Sequence, residues 1–289
     1  MKYYINYSDK SFKKQQKFAI FMAKLVGNFD EVTAYGPQDT DKIFYKENEV
    51  ILRQPRGGGY WLWKTYFINK KIQEINNGDY LFYCDSGAFF LKSVDILIKE
   101  LEKYDQDIMG FEVPLIEKQW TKKELFINMG CDNDFFKESN QIMGGYVLVK
   151  KTKKSVDFFK QHLQYSCNEI NITDKYNDIN QSKYFIDHRH DQSIFSLLYK
   201  KYKLRPFKEP TQFGDNPWCY SGSGANATKG LISNKLHALD NGRQYRYFKY
   251  NEKYKNVLFH VRKGNVLISL IKFRIKEVLH KLGFYRYLS

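Results

Sequence analysis

Short apolar runs alternate with longer segments of helical spacing along this chain, and that alternation constrains its fold more than any other feature. An apolar run at residues 3–7 precedes helically spaced apolar side chains between Phe18 and Val26, and a β-branched run follows at residues 32–35. Strands that alternate with helices predict a largely parallel sheet whose ligands bind at the carboxyl ends of its strands.

The same alternation continues to about residue 200. It predicts helices at residues 63–75, 94–103 and 156–163, and strands at residues 80–83, 108–111 and 146–149. We therefore predict an α/β fold with a mixed, mostly parallel sheet flanked by helices. In this prediction residues 1–250 form one domain, and residues 251–289 add a C-terminal strand and a basic amphipathic helix.

The charge balance points to an anionic partner. The 289 residues include 47 Lys and Arg against 32 Asp and Glu, so the formal net charge is +15. Nucleic acid, an anionic membrane surface and a phosphorylated ligand all satisfy this balance. Charge alone does not choose among them.

The chain lacks the sequence features of an exported or membrane-spanning protein. It has no run of about 18 apolar residues and no apolar leader at its start. Its four cysteines stand far apart, which indicates neither a zinc knuckle nor a disulfide framework. We therefore expect a cytoplasmic protein.

An acidic residue follows the buried strand predicted at residues 80–83. Asp85 stands there, and Ser86 and Gly87 come directly after it. A carboxylate at the carboxyl edge of a sheet can hold a divalent cation that bridges two phosphates, and a glycine lets the backbone approach a ligand closely. The alternative is a turn former or a helix N-cap.

A run of three glycines precedes the helix predicted at residues 63–75. Backbone amides that lead into a helix can bind anions, and Arg56 and Lys64 on either side would add charge for a diphosphate. The run matches neither a Walker A sequence nor a dinucleotide-binding GxGxxG, so it does not imply ATP or NAD.

Asp191 and Gln192 stand at the first turn of a helix whose apolar positions begin at Ile194. A carboxylate and an amide held there could position a sugar hydroxyl or stabilise positive charge at an anomeric carbon. The alternative is an ordinary helix start. His188 and His190 have no adjacent third ligand, which argues against a zinc site.

A short strand near residue 260 ends in polar residues. His260 would complete a metal site together with Asp85, and Arg262 or Lys263 would contact phosphate. A structural histidine beside an apolar run is the alternative interpretation.

Two long polar segments, at residues 164–187 and 209–230, interrupt the pattern. Such segments are usually lids or binding loops, with disorder as the alternative, and we favour a lid for the second. The final segment, from Asn265 to Ser289, predicts a helix with one apolar face. That face contains Leu267, Ile271, Ile275, Val278, Leu279 and Leu282. Such a basic amphipathic helix suits an anionic membrane surface, and a helix docked on its own domain is the alternative.

Several blocks of the chain together resemble bacterial glycosyltransferases of the capsular and lipopolysaccharide type. The blocks are YINYSD, FDEVTAYGPQDTD, RGGGYWLWKTYFI, GDYLFYCDSGAFF, MGGYVLVKK and RHDQSIFSLLYKKYKLRPFKEPTQFG, within about residues 1–215. The resemblance implies a GT-A fold, the Rossmann-like fold of nucleotide-diphospho-sugar transferases. It also implies a nucleotide-sugar donor, most often a uridine nucleotide, and a saccharide or lipid-linked saccharide acceptor in surface polysaccharide biosynthesis.

The resemblance also implies roles for particular residues. Asp85 takes the place of the first carboxylate of a DxD metal motif, but Gly87 replaces the second. A divalent cation, Mn²⁺ or Mg²⁺, would then be held by Asp85 with His260, or Arg56 and Lys64 would replace the cation. The remaining implied positions are Tyr4, Asn6 and Ser8 in a nucleoside pocket, Gly144 and Gly145 against the donor sugar, and Asp191 and Gln192 beside the anomeric carbon.

We therefore expect a hexosyltransferase located on the cytoplasmic face of the membrane, to which its C-terminal helix holds it. Two alternatives stay open: a basic nucleic-acid-binding protein, and a catalytically inactive protein of the same fold that binds a nucleotide sugar. Nucleic acid is the less expected partner, because the aromatic residues lie mostly in apolar runs and not along a basic stripe.

Overall fold

The computed structural model describes residues 1–177, 179–215, 250–261 and 266–282. The strands in those ranges are β1 (Lys2–Tyr7), β2 (Glu31–Tyr35), β3 (Tyr80–Cys84), β4 (Ala88–Phe90), β5 (Ile108–Met109), β6 (Glu112–Ile116), β7 (Asn140–Ile142), β8 (Tyr146–Lys150) and β9 (Leu258–His260). The longer helices are α1 (Lys13–Leu25), α2 (Leu62–Glu74), α3 (Asp95–Lys103), α4 (Lys153–Ser166), α5 (His190–Lys201) and α6 (Val266–Lys281).

Shorter helical segments connect these elements. They are Lys10–Phe12, Pro37–Asp39, Lys42–Glu47, Glu49–Leu52, Gly57–Tyr60, Glu117–Trp120, Lys123–Asn128, Asp134–Lys137, Glu169–Ile172 and Gln212–Asp215. The segment predicted as a lid, residues 209–230, is described only as far as residue 215, and the remainder lies outside the described ranges.

The central sheet has the strand order β2-β1-β3-β8-β5. β1 pairs in parallel with β2 and β3, whereas β8 is antiparallel to both of its neighbours, β3 and β5. Four of the five strands therefore run in one direction. The prediction of a mixed, mostly parallel sheet flanked by helices is confirmed.

Alternating side chains of the central strands supply two hydrophobic cores. Ile5, Leu81 and Val147 belong to the core that contains residues of α2, α4 and α5. Tyr4 and Phe82 point the opposite way, into the core that contains residues of α3 and β4. Because successive side chains of a strand face opposite sides, both faces of the sheet are covered at its interior strands β3 and β8, which are buried along almost their whole length.

Residues 250–261 pack against the rest of the described chain. Tyr254, Val257 and Leu258 are buried in the second core, and β9 pairs with β4 in antiparallel orientation, with His260 opposite Ala88. The boundary at residue 250 therefore separates segments that share a core, and a division into two parts there stays a prediction.

The C-terminal helix α6 docks on the domain through one face only. Val266, Leu270 and Phe273 pack against a buried cluster formed by Ala19, Phe89 and Phe259. The face opposite to this contact is the face that the sequence predicts as apolar. Its described residues Ile271, Ile275, Val278 and Leu282, together with Ile268, are each more than half exposed. None of the helices in the described ranges is both long and apolar enough to cross a bilayer.

The central position of β8 gives a stability prediction. Leu148 is fully buried in the second core, so Leu148→Ala should lower the free energy of unfolding by about 2–5 kcal/mol. Chemical denaturation measures this change. Ile43→Ala is the control, because Ile43 is 69% exposed and its truncation should change the free energy by less than about 0.5 kcal/mol. Equal losses in the two variants would contradict the described core.

Candidate functional site

A cavity of about 300 Å³ opens at the carboxyl ends of β1 and β3. This is the edge at which the sequence predicts ligand binding in a sheet of this kind. The cavity walls combine aromatic, glycine and small polar residues with two carboxylates, Asp9 and Asp85. The lining residues are Tyr7, Ser8, Asp9, Ser11, Phe12, Pro55, Gly57, Gly58, Trp61, Trp63, Asp85, Ser86, Gly87 and His260.

One wall of the cavity is a left-handed turn built from the three glycines. Residues 57–61 all have positive φ, and Tyr60 and Trp61, at 51° and 61°, are not glycines. A left-handed backbone costs about 1–2 kcal/mol for each residue that has a Cβ atom. Backbone strain of this kind clusters at functional sites, where the surrounding structure maintains it.

Contacts of the neighbouring aromatic residues maintain the left-handed turn. The indole Nε1 of Trp63 donates to the carbonyl oxygen of Gly57 at 2.9 Å, and the Trp63 ring stacks on Tyr7 with centroids 3.8 Å apart. Trp61 stacks on His190. At Gly59, a Cβ atom would lie 2.7 Å from the Cα atom of Leu52, so only glycine fits there.

Beneath the cavity, one lysine joins two carboxylates. The Lys64 ammonium on α2 lies 2.9 Å from Asp191 Oδ2 and 3.4 Å from Asp85 Oδ1, and it donates to the Gly144 carbonyl oxygen at 3.0 Å. Burial lowers the pKa of Lys64, but the charges of Asp191 and Asp85 outweigh burial and raise it. We name these three charged residues the Lys64 cluster. It joins α2, the loop after β3 and the start of α5.

Asp85 is the member of the Lys64 cluster that reaches the cavity. Its side chain is 37% exposed. The Tyr83 hydroxyl donates to Asp85 Oδ1 at 2.5 Å, and the Asp85 backbone amide donates to the Gly145 carbonyl oxygen at 2.7 Å. The Tyr83 hydroxyl therefore holds the Asp85 carboxylate from the side of the sheet, and the exposed part of the carboxylate faces the cavity.

Asp191 and Gln192 lie one layer deeper, at the start of α5. Asp191 is fully enclosed, and burial raises the pKa of its carboxyl to about 6, although Lys64 opposes this rise. Gln192 accepts a hydrogen bond from the Gly144 amide at 3.1 Å and donates to Gln141 Oε1 at 2.7 Å. The structure thus brings Asp191, Gln192, Lys64 and Asp85 together around Gly144 and Lys64.

The absence of a side chain at Gly144 lets the start of α5 lie close to the loop before β8. A Cβ atom there would lie 2.9 Å from Gln192 Cβ and 3.3 Å from Asp191 Oδ2. At Gly145 the nearest atoms would lie at ordinary contact distance, 3.4 Å, and one of them is Asp85 Oδ2. The glycine pair therefore allows the start of α5 to lie against the loop before β8.

Two residues predicted for the nucleoside pocket lie away from the cavity. Tyr4 and Asn6 are fully buried in the sheet layer, where the Asn6 amide donates to the Tyr4 hydroxyl oxygen at 3.3 Å. Both side chains point to a sheet face and not along the strand toward its end. Ser8 does line the cavity, because it follows the last residue of β1.

The two cations proposed as replacements for a metal already have partners. Arg56 forms ion pairs with Asp174 at 2.8 Å and Asp187 at 2.7 Å, and it does not line the cavity. Lys64 is enclosed beneath Asp85 as described above. Arg262 and Lys263 lie outside the described ranges.

His260 lines the same cavity as Asp85, Ser86 and Gly87. Its backbone exchanges two hydrogen bonds with the Gln212 side chain, which places the imidazole at the end of β9. Within the described ranges no group of three or more His, Cys, Asp or Glu residues is arranged to hold a metal ion. Asp85 and His260 can contribute at most two protein ligands there, so a cation would require oxygen atoms of a bound ligand as well.

The sequence interpretation missed several cavity residues. Asp9, Ser11 and Phe12 line the cavity from the turn between β1 and α1, and Trp61 lines it from the left-handed turn. The position of the turn between β1 and α1 could have identified the residues there, because a polar turn that follows an apolar parallel strand lies at the carboxyl edge of the sheet, where ligands bind. Tyr83 was also missed, because its hydroxyl reaches Asp85 only through the pleat of β3.

The left-handed turn gives a second prediction. Gly59→Ala should reduce the free energy of unfolding by more than about 2 kcal/mol, because it adds a steric clash with Leu52 to the conformational cost of positive φ. Gly58→Ala is the matched control: its φ is also positive, but the nearest atom to a new Cβ would be 3.7 Å away. Thermal and denaturant unfolding compare the two variants. Equal losses would contradict the close approach of Gly59 to Leu52.

Comparison with known proteins identifies similar solved structures only. No protein-family model and no curated protein sequence matches the chain. The glycosyltransferase GlyE of Streptococcus pneumoniae matches over 99% of this chain and 64% of its own, with 11% identity and a TM-score of 0.43. This chain therefore spans less than two thirds of that structure.

Two further solved structures are similar over more of their own length. Mouse xyloside xylosyltransferase 1 matches over 92% of this chain and 97% of its own, with 9% identity and a TM-score of 0.42. The galactosyltransferase LgtC, in complex with donor and acceptor sugar analogues, matches over 90% of this chain and 87% of its own, with 13% identity and a TM-score of 0.41.

Proposed function

We propose that this chain is a glycosyltransferase of the GT-A kind, which moves a sugar from a nucleotide-diphosphate-sugar donor to a saccharide or lipid-linked saccharide acceptor. The observation that carries the proposal is the position of the Lys64 cluster. A cavity with aromatic walls lies at the carboxyl edge of a mostly parallel sheet, and Asp85 joins its floor to the buried Asp191 through Lys64.

The cavity suits a nucleotide diphosphate in size and chemistry. Its volume of about 300 Å³ is within the range of small-molecule sites. Tyr7, Phe12 and Trp61 offer aromatic surface for a base. Ser8, Ser11 and the backbone of Gly57 and Gly58 are the polar groups close to that surface. We assign the nucleoside to this aromatic end and the diphosphate to the end that contains Asp85. A uridine nucleotide is the donor that the sequence resemblance favours.

A divalent cation, Mn²⁺ or Mg²⁺, would be held by Asp85 and His260, with the donor phosphates as its remaining ligands. Mg²⁺ is commonly bound in proteins by one or two carboxylates plus substrate phosphates, and Asp85 would supply that carboxylate, whereas the imidazole of His260 suits a transition metal better than Mg²⁺. When bound, such a cation neutralises charge that develops on the leaving diphosphate. Asp85 and His260 would hold the cation, and the cation would in turn hold the phosphates of the donor.

Sugar transfer requires an acceptor hydroxyl that loses its proton and a site that tolerates positive charge at the anomeric carbon. Asp191 suits either requirement, since burial gives its carboxyl a pKa of about 6, close to the range in which a general base works at neutral pH. Lys64 opposes the effect of burial and favours the ionised carboxylate. Gln192 lies beside Asp191, with its amide held by Gly144 and Gln141.

The exposed face of α6 supports a membrane-peripheral location. Ile268, Ile271, Ile275, Val278 and Leu282 form one apolar stripe of more than half-exposed side chains. At 3.6 residues per turn, Arg274 lies on one side of this stripe, and Lys272 and Lys276 lie on the other. An apolar stripe between cations suits the headgroup region of an anionic bilayer. We propose that α6 holds the enzyme on the cytoplasmic membrane surface during capsule or lipopolysaccharide assembly.

Ligand-induced stabilisation tests the donor. The purified protein should melt at a higher temperature with one family of nucleotide diphosphates or nucleotide sugars, because a ligand present at 100 times its Kd adds about 2.7 kcal/mol to the stability. The panel is measured with and without manganese. No shift with any nucleotide, combined with tight and salt-sensitive binding of an oligonucleotide, would replace this proposal with a nucleic-acid-binding function.

Asp191→Asn tests the chemistry. We expect turnover, measured as transfer or as donor hydrolysis, to fall by about 10²–10⁴-fold, the usual contribution of a general base. Donor binding should persist, because Asp85 and the aromatic residues that line the cavity are unchanged. Asp187→Asn is the matched control, since Asp187 pairs with Arg56 outside the cavity. Full activity of Asp191→Asn would remove Asp191 from the mechanism, and binding without any turnover in the wild type would indicate an inactive nucleotide-sugar-binding protein.

The membrane contact has its own test. The double variant Ile271→Ser, Ile275→Ser should lose most of the binding to vesicles that contain anionic lipid, measured by sedimentation, because it removes two residues from the centre of the apolar stripe. Leu25→Ser is the control, since Leu25 is a 65% exposed apolar residue on α1. Equal binding of the double variant and the wild type would contradict the assignment of α6 to the membrane.

A further inference from the structure

A chain of buried hydrogen bonds leads from the ion pair of Glu117 and Lys200 to Gln192. Its first link is Glu117, which is fully buried. The Lys200 ammonium lies 2.6 Å from Glu117 Oε1, and the Thr121 hydroxyl donates to Glu117 Oε2 at 2.5 Å. A carboxylate in an ion pair can only accept hydrogen bonds. Every neighbour of Glu117 must therefore present a donor to it.

Gln141 is the second link, and Glu117 determines its direction. The Gln141 side chain is fully buried. Its Nε2 lies 3.1 Å from Glu117 Oε2 and 3.1 Å from the Thr121 hydroxyl oxygen. A reversed amide would place its oxygen against the carboxylate, so the NH₂ group must face Glu117. Gln141 Oε1 is consequently the atom that faces α5.

Gln192 is the third link. Because Gln141 presents an oxygen, Gln192 must present its NH₂ group to it, and the Nε2 to Oε1 distance is 2.7 Å. Gln192 Oε1 then faces the Gly144 amide, from which it accepts at 3.1 Å. The Gly144 carbonyl oxygen in turn accepts from Lys64. The amide oxygen of Gln192 is therefore bound to Gly144, the residue whose carbonyl oxygen binds Lys64.

We propose that Gln141 is a positioning residue that fixes the direction of the Gln192 amide, so that its NH₂ group is held by Gln141 and its oxygen faces the Gly144 amide. Glu117 acts through Gln141 and sets the direction of the whole chain of hydrogen bonds. This inference rests on the proposed glycosyltransferase activity for its catalytic consequence. The direction of the amide itself is independent of that activity.

The direct experiment uses the side-chain amide resonances of Gln192 in ¹⁵N-labelled full-length protein, assigned by their loss in Gln192→Glu. In Gln141→Met these resonances should shift, and their protons should exchange faster with water, because the bond to Gln141 is gone. Thr121→Val is the matched control. It removes another polar contact of Gln141 but leaves both partners of Gln192 in place, so the Gln192 resonances should stay unchanged.

The kinetic experiment compares the same variants with the donor identified by ligand-induced stabilisation. Gln141→Met should lower kcat by about 10–100-fold, as small misplacements of catalytic groups do, and it should leave KM unchanged. Gln141→Glu should recover part of kcat, since the introduced carboxyl can share a proton with Glu117 and still offer an oxygen to Gln192. Thr121→Val should retain the wild-type kcat, and melting temperatures identify any variant that is not folded.

The outcomes separate this inference from the proposed function. Unchanged Gln192 resonances in Gln141→Met, or equal changes in Thr121→Val, would overturn the positioning role even if the wild type transfers sugar. A folded Gln141→Met that keeps the wild-type kcat would also overturn it. Conversely, if the wild type shows no turnover, the glycosyltransferase proposal fails, while the resonances still decide whether Gln141 directs Gln192.

Discussion

The buried ammonium of Lys64 is the contact on which the site depends. It lies between Asp191 and Asp85 and also binds the carbonyl oxygen of Gly144. Burying one charge without a partner would cost several kcal/mol. Two carboxylates around one ammonium leave that group of three with a net negative charge, directly beneath the cavity. The helix α2, the loop after β3 and the start of α5 are consequently held at fixed distances from one another.

The walls of the cavity follow from the same arrangement. Since α2 must deliver Lys64 beneath Asp85, the chain before it has to turn sharply, and the left-handed turn of residues 57–61 makes that turn at the edge of the sheet. Trp63 then packs on Tyr7 and binds the turn. Strained backbone and buried charge therefore occur together at the carboxyl edge of the sheet.

Much of the fold and part of the site could be predicted from the sequence, because the spacing of apolar residues along the chain determines where strands and helices form. The strand before Asp85 and the first turn of α5 follow from hydrophobic spacing, and the sheet edge brings their ends together. The direction of β8 could not be predicted, since an apolar run reads the same in both directions. The partners of Arg56 lie more than 100 residues away along the chain, and spacing holds no information about them. Tyr4 and Asn6 were misplaced for a simpler reason: their side chains face the sheet layers and not its edge.

A structure of the protein with a bound nucleoside diphosphate would test the central claim most directly. Crystals grown with the nucleotide that stabilises the protein should show its base against Tyr7, Phe12 or Trp61 and its diphosphate next to Asp85, above an unchanged Lys64 cluster. An ordered nucleotide elsewhere on the protein, with this cavity free of it at saturating concentration, would contradict the account.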